Sequence, residues 1–146
     1  MIKYVVGDIL NSPYGTIVIP VNCEGVMGAG LAKQFKDKFP ETSKLYIDHS
    51  SNKGLKPGEI VRVNQGDCEK SVLFAATKDL WRNNSEAKWI DRICQRLIFN
   101  ILRDEKVALT LLGCGLGCLS WERTIKPIYE KYLEPAKQEF IVYVRG

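Results

Sequence analysis

The segment "TIVIPVNCEGVMGAGLAKQFKDK", residues 16–38, decides the reading of this chain. It opens on a run of Thr, Ile and Val that suits a strand buried on both faces. It then brings Gly25, Gly28 and Gly30 together within six residues. From Ala29 to Lys38 the pattern predicts a helix, with Leu31 and Phe35 turned inward. A buried strand that hands over to a helix through a glycine-rich loop is the basic unit of α/β proteins.

The same alternation extends in both directions. Strands are predicted at "IKYVVG" (2–7), "EIVRV" (59–63), "SVLFAA" (71–76), "VALTLL" (107–112) and "FIVYVR" (140–145). A helix over Glu86–Leu102 carries Trp89, Ile90, Ile93, Cys94, Leu97, Ile98, Ile101 and Leu102 at 3.6-residue spacing, with Ser85 as its expected N-cap. Further helices are expected over "PETSKLYIDHS" and after "GLGCLS", the latter with Trp121, Ile125, Ile128, Tyr129 and Tyr132 on one side. Gly54, Pro57 and Gly58 read as a turn and not a linker, because apolar strands lie on either side. The fold class expected is α/β, three layers, with a mixed, mostly parallel central sheet forming one domain over residues 1–146.

Composition narrows the function classes. Twenty-one basic and 17 acidic side chains leave a formal charge of +4, compatible with an anionic ligand but without the basic block of a nucleic-acid arm. Five cysteines with no Cys-x-x-Cys pair, and one histidine, His49 in a polar stretch read as loop, point away from a disulfide frame or a metal centre. No cofactor and no metal are required. No apolar run reaches the ~20 residues of a membrane helix, so no membrane association and a cytoplasmic location are expected (nuclear in a eukaryote).

A second glycine loop, "GCGLGCLSW" (113–121), follows the fifth strand. Ligands of open α/β sheets sit at the carboxyl ends of the strands. Two loops there, each leading into a helix, can present bare amides to an anion. Neither is a P-loop, and "GVMGAG" reverses the dinucleotide spacing. A diphosphate held between two loops is the ligand this arrangement predicts.

Taken together, "VVGDIL", "IPVNCEGVMGAGLAKQFKDKFP", "KPGEI", "AATKDLWRNNS" and "LLGCGLGCLSW" resemble the macro domain family. The likeness spans nearly the whole chain. It is nearest to the branch of the DarG-type DNA ADP-ribosyl glycohydrolases and the human terminal ADP-ribose glycohydrolase TARG. The resemblance implies an α/β/α sandwich with an ADP-ribose cleft along the top of the sheet. It implies that Asp8 accepts from the adenine amino group, with Ile9 against the base; the plainer reading of Asp8 is a turn or helix cap. Asn22 then stands beside the distal ribose. Gly25, Val26, Met27, Gly28, Gly30 and Leu31 form the loop over ribose and diphosphate, Met27 as a lid. Thr77 borders the site, and Gly113, Cys114, Gly115, Leu116 and Gly117 form the second phosphate loop.

Lys78, in "AATKDLW", matches the catalytic lysine of that branch. Partial desolvation is expected to lower its pKa. It could attack the anomeric C1″ in its open aldehyde form, or assist water by proton transfer. TARG-type enzymes carry an aspartate after "GCGL" where this chain has Gly117, and the catalytic loop of the MacroD type is absent. Trp81 and Arg82 either meet a nucleobase or phosphate at the rim or simply pack and solvate. Glu24 either positions water or is exposed. The activity implied is removal of mono-ADP-ribose by a monomer, from a macromolecule such as ADP-ribosylated DNA. A non-catalytic ADP-ribose reader and an ADP-ribose 1″-phosphate phosphatase are the alternatives.

Overall fold

Six strands and four α-helices alternate in the computed structural model, which describes residues 1–145. The strands are β1 (Ile2–Val6), β2 (Thr16–Val21), β3 (Ile60–Val63), β4 (Ser71–Ala76), β5 (Lys106–Leu109) and β6 (Glu139–Val144). They form one sheet in the order β1-β6-β5-β2-β4-β3. All neighbours are parallel except β3, which runs antiparallel to β4. The mixed, mostly parallel sheet expected from the sequence is thus borne out.

Side chains of a strand alternate between faces, and β2 divides the core accordingly. Ile17, Ile19 and Val21 join Phe35, Tyr46 and Phe74 on one face, whereas Val18 joins Ile90, Ile93, Leu97 and Tyr129 on the other. Helices α1 (Gly30–Lys38) and α2 (Pro40–His49) cover the first face; α3 (Ala87–Asn100) and α4 (Lys126–Tyr132) cover the second. Each fully buried Ile, Leu or Phe contributes about 1.5–3 kcal/mol, so both layers are held by burial.

Local chemistry sets the helix ends. Pro40 starts α2 at the one position that does not need an N–H. The same ring bars Phe39 from the helical region (φ −131°, ψ 68°), which ends α1. Several expectations need correction. Ser85 is not the N-cap of α3: Glu86 precedes the helix, without a side-chain cap bond. Leu102 lies beyond α3 and is largely exposed, because the chain turns extended at Ile101. His49 is the last residue of α2, half-buried, and not part of a loop. The helix expected after the second glycine loop does begin at Trp121, as a wide turn that the Ser120 hydroxyl starts by accepting from the Arg123 N–H (3.2 Å) and that runs into α4.

The sheet opens where the site will lie. β2 and β5 are neighbours, but their ladder holds only the pairs Thr16↔Val107 and Ile17↔Ala108. Pro20, further along β2, has no N–H to offer a neighbour. Past this point the chain after β2 enters α1 on one face, while the chain after β5 leads to α4 on the other. This is the switch point at which open α/β sheets form a crevice.

Candidate functional site

A cleft of about 900 Å³ runs along the carboxyl ends of the parallel strands. Pro20, Val21, Thr110 and Leu111 lie along it where β2 and β5 part, and Tyr143, Val144 and Arg145 lie at the β6 end. Every residue expected in the site lines this cleft except Gly25 and Met27. Met27 is not a lid: it is 4% exposed and packs in the core with Phe35 and Tyr46. Gly25 turns the chain at φ 76°, and a Cβ there would come 2.7 Å from Ser50 Oγ at the end of α2. Both shape the loop from below.

Asn22 organises the first loop. Its Oδ1 accepts from the N–H groups of Glu24 (3.0 Å) and Val26 (3.2 Å), and its Nδ2 donates to the Val26 carbonyl (2.8 Å). An asparagine that bonds backbone two and four residues on closes a turn by itself. Beneath it, the buried Tyr46 hydroxyl donates to the Asn22 carbonyl at 2.6 Å. Tyr46 is held in turn by stacking on Phe74, with centroids 5.0 Å apart. The side chain expected to meet ribose hydroxyls therefore spends most of its capacity on the loop.

The second loop is shaped by close approach. Gly113 has φ 78°, and a Cβ on it would stand 3.0 Å from Leu119 Cδ1. A Cβ on Gly117 would stand 2.4 Å from Ser85 Oγ and 2.5 Å from the Gly113 carbonyl oxygen. Glycine is required here by contact and not by dihedral angle. The loop closes on itself through Leu119 N–H to the Gly113 carbonyl (2.8 Å) and Cys118 N–H to the Gly115 carbonyl (3.1 Å). Its root is held by Tyr129, whose buried hydroxyl donates to the Thr110 carbonyl (2.7 Å) and accepts from the Leu112 N–H (3.0 Å).

These two constructions leave backbone donors unused. Among the described residues, the amides of Gly28, Ala29 and Gly30 on one side, and of Gly115, Leu116 and Gly117 on the other, have no protein acceptor. Backbone N–H groups are obligatory donors, so a cluster lining one cleft is a built receptor for an anion. The loops touch across it: Leu116 Cδ1 lies 3.2 Å from where a Gly30 Cβ would be. The N-terminus of α1, at Gly30, adds its positive end.

Asp8 is a turn cap, as the plainer reading has it, and also lies in the cleft. Its Oδ1 accepts from the Leu10 N–H (2.9 Å) and caps the short turn Ile9–Asn11, while the exposed carboxylate still lines the cleft above the buried Ile9. At the other end, Thr77 and Lys78 follow β4. The Thr77 N–H donates to the Val21 carbonyl (3.0 Å). Cys23 donates from its N–H to the Asp79 carbonyl (3.0 Å) and from its thiol to the Lys78 carbonyl (3.3 Å). Glu24 neither faces the cleft nor stands idle: its Oε1 accepts from the Trp81 N–H (2.8 Å). The lysine-bearing turn is thereby fastened to the first loop. Lys78, half-buried, donates from Nζ to the Trp81 carbonyl (3.2 Å) and is in no ion pair among the described residues.

Burial pushes the Cys114 thiol up to about 11, so this cleft cysteine stays a thiol at neutral pH. Burial, followed by the nearby Asp79, Glu59 and Glu24 carboxylates, pushes Cys23 up to about 12. Among the described residues, no three His, Cys, Asp or Glu side chains converge as metal ligands. The sequence reading missed the roles of Pro20, Tyr46, Tyr129 and Ser85. Pro20 was visible as a proline within a strand; the others act through contacts distant in sequence.

A mostly parallel sheet covered on both faces, with two glycine loops at its switch point, defines a three-layer α/β domain. The chain belongs to the Macro domain family, whose profile matches residues 18–128. A DNA ADP-ribosyl glycohydrolase of Mycobacterium tuberculosis is 33% identical over 98% of this chain, which corresponds to 42% of that relative's length. The chain thus spans about two fifths of the length of that relative, whereas an ADP-ribose 1″-phosphate phosphatase of Scheffersomyces stipitis, 25% identical, is matched over 99% of both chains. Among solved structures, the macrodomain of Thermus aquaticus DarG superimposes with a TM-score of 0.89 at 31% identity, covering 99% of this chain and 98% of that one. Thermosipho africanus DarTG in complex with ADP-ribose superimposes with a TM-score of 0.89 at 28% identity, over 97% of this chain and 41% of that one.

Proposed function

We propose that this macro domain binds ADP-ribose and removes it from a modified macromolecule, with an ADP-ribosylated DNA base as the substrate. One observation carries the reading. Unpaired amides from two loops converge on a cleft that has a carboxylate at one end and a lysine amine at the other. The free oxygen of Asp8 suits the adenine amino group and Ile9 suits the ring face. The diphosphate takes the amides of Gly28–Gly30 and Gly115–Gly117, and the distal ribose comes to Asn22, Thr77 and Lys78. The relatives named DNA ADP-ribosyl glycohydrolase support the activity.

In the reaction, the C1″–N bond between ribose and base breaks. Water supplies the hydroxyl left on C1″ and the proton left on the base nitrogen. Among the described residues Lys78 is the one lysine lining the cleft, and it acts either as a nucleophile, forming an imine at the opened C1″ that water then releases, or by passing the proton. An acidic group at position 117 is closed to this chain, because that position has no room for a Cβ. That favours a base as leaving group over a carboxylate ester handled by a lysine–aspartate pair. Residues 1–146 act here as one domain and as a monomer. Five free cysteines suit a reducing cytoplasm, and among the described residues no helix is long and apolar enough to cross a membrane.

The test is side-by-side incubation with an oligonucleotide ADP-ribosylated on thymine, a glutamate-ADP-ribosylated protein and ADP-ribose 1″-phosphate. Wild type should release ADP-ribose from the DNA. Lys78→Ala should lose at least about a hundredfold in turnover while calorimetry finds ADP-ribose binding retained. Equal turnover by the variant would refute the lysine's role. Tight ADP-ribose binding with no release by wild type would make the domain a reader.

A further inference from the structure

Trp81 is fixed by its backbone and free in its ring. Its N–H donates to Glu24 and its carbonyl accepts from Lys78 Nζ, so both peptide groups are held. The indole nevertheless lines the cleft and is 54% exposed. The other two tryptophans are committed elsewhere: Trp89 is buried on α3, and Trp121 packs edge-on against Tyr4 and Tyr129. Among the described residues no aromatic ring packs against Trp81. A large apolar surface held on a rigid stem and left uncovered is arranged to be covered by something else.

Its position says by what. Amine and indole belong to one turn, three residues apart, and the amine rests on the tryptophan's own carbonyl. A sugar carbon within reach of Nζ therefore places its substituent, the group that leaves, beside the indole. A flat aromatic leaving group gains a stacking partner there, whereas a carboxylate side chain gains nothing from an indole face. Arg82, next in the chain, is exposed and in no ion pair among the described residues. A free guanidinium beside a stacking ring is the pairing used to hold a single strand by base and phosphate.

We propose that Trp81 is the platform on which the leaving nucleobase stacks, and that Arg82 holds a phosphate of the strand that carries it. This rests on the glycohydrolase reading above and adds to it a specificity-determining residue outside the ADP-ribose contacts. Stacking selects an aromatic base over an amino-acid side chain and holds it while the C1″–N bond is broken.

The experiment compares wild type, Trp81→Ala, Trp81→Phe and Arg82→Ala on a single-stranded oligonucleotide ADP-ribosylated on one thymine, with calorimetry of free ADP-ribose alongside. Trp81→Ala should raise KM for the oligonucleotide by about tenfold or more, with the loss in KM and not kcat, while free ADP-ribose binds as to wild type. Trp81→Phe should recover most of the loss. Arg82→Ala should flatten the dependence of log KM on log salt by about one unit of slope. Indole fluorescence of a Lys78→Ala protein should be quenched by the modified oligonucleotide, and the quench should vanish when Trp81→Phe is added. A Trp81→Ala enzyme with wild-type KM, or one that loses free ADP-ribose equally, overturns the platform. Absence of turnover by wild type overturns the underlying reading, and the quench then still decides the stack: present, it upholds the platform; absent, it removes it.

Discussion

The two glycine loops face each other across one cleft and are built on different plans. The first is braced by hydrogen bonds: Asn22 folds it, Tyr46 supports it from below, and Cys23 and Glu24 fasten the lysine turn to it. The second has its own backbone bonds and is tightened by contact: Gly117 is wedged between Ser85 and the Gly113 carbonyl, and Gly113 sits against Leu119 and Ile90. Polar bonds can exchange partners with a ligand, whereas steric contacts cannot. In the function proposed, the first loop would answer to the sugar and the second would be a firm rest for the diphosphate. Ser85 shows the cost of the second plan. Its buried hydroxyl has no partner among the described residues, although its N–H is bonded to the Gly117 carbonyl (3.0 Å), and burying such a group unpaired costs on the order of 1–3 kcal/mol.

The difference can be broken most forcefully at Gly117. Alanine or aspartate there must displace backbone as well as Ser85, so Gly117→Ala should cost about 3 kcal/mol in urea denaturation and abolish ADP-ribose binding. A variant with an unshifted midpoint would show that the second loop is pliable. The effect is next largest at the two buried tyrosines. Tyr129→Phe removes both a donor and an acceptor, stranding the Thr110 carbonyl and the Leu112 N–H, and should cost about 2–3 kcal/mol. Tyr46→Phe strands chiefly the Asn22 carbonyl and should cost about 1–2 kcal/mol. Only the first-loop variant is expected to weaken ADP-ribose binding beyond its effect on stability. The reverse order would contradict the comparison.

The smallest effect is one of pH. Both loop thiols are raised above their ordinary 9.0, Cys23 to about 12 and Cys114 to about 11, burial being the first cause in each. The folded state thus holds protons that the unfolded chain releases above pH 9. Stability from these groups is complete below that pH and is lost as pH rises through 11 to 12. Denaturation midpoints should be flat from neutrality to about pH 9 and fall above it. Cys23→Ala should blunt the fall more than Cys114→Ala, since its thiol is shifted further.

Much of this was legible before any coordinates. All six strands announce themselves as apolar runs, and five match the expectation to within a residue at each end; β5 instead stops at Leu109, ahead of the turn that the Cys114 N–H closes on the Leu111 carbonyl. Both loops, and the family, follow from glycine spacing and short motifs. What failed to show was how side chains divide their work. The motif sets Asn22 at the cleft, where it lies, but gives no sign that its side chain also folds its own loop. Met27 was read as a lid and lies in the core. Ser85 was read as a cap, yet its hydroxyl sits against Gly117, 32 positions on.

Residue order alone determined the layers, the sheet and the two ligand loops, because hydrophobic period and glycine spacing are local signals that survive in one dimension. Tertiary structure alone decided which donors remain free, which glycine cannot become anything else, and that the Trp81 ring is left uncovered. Those facts depend on neighbours far apart in the chain, and no spacing rule carries them.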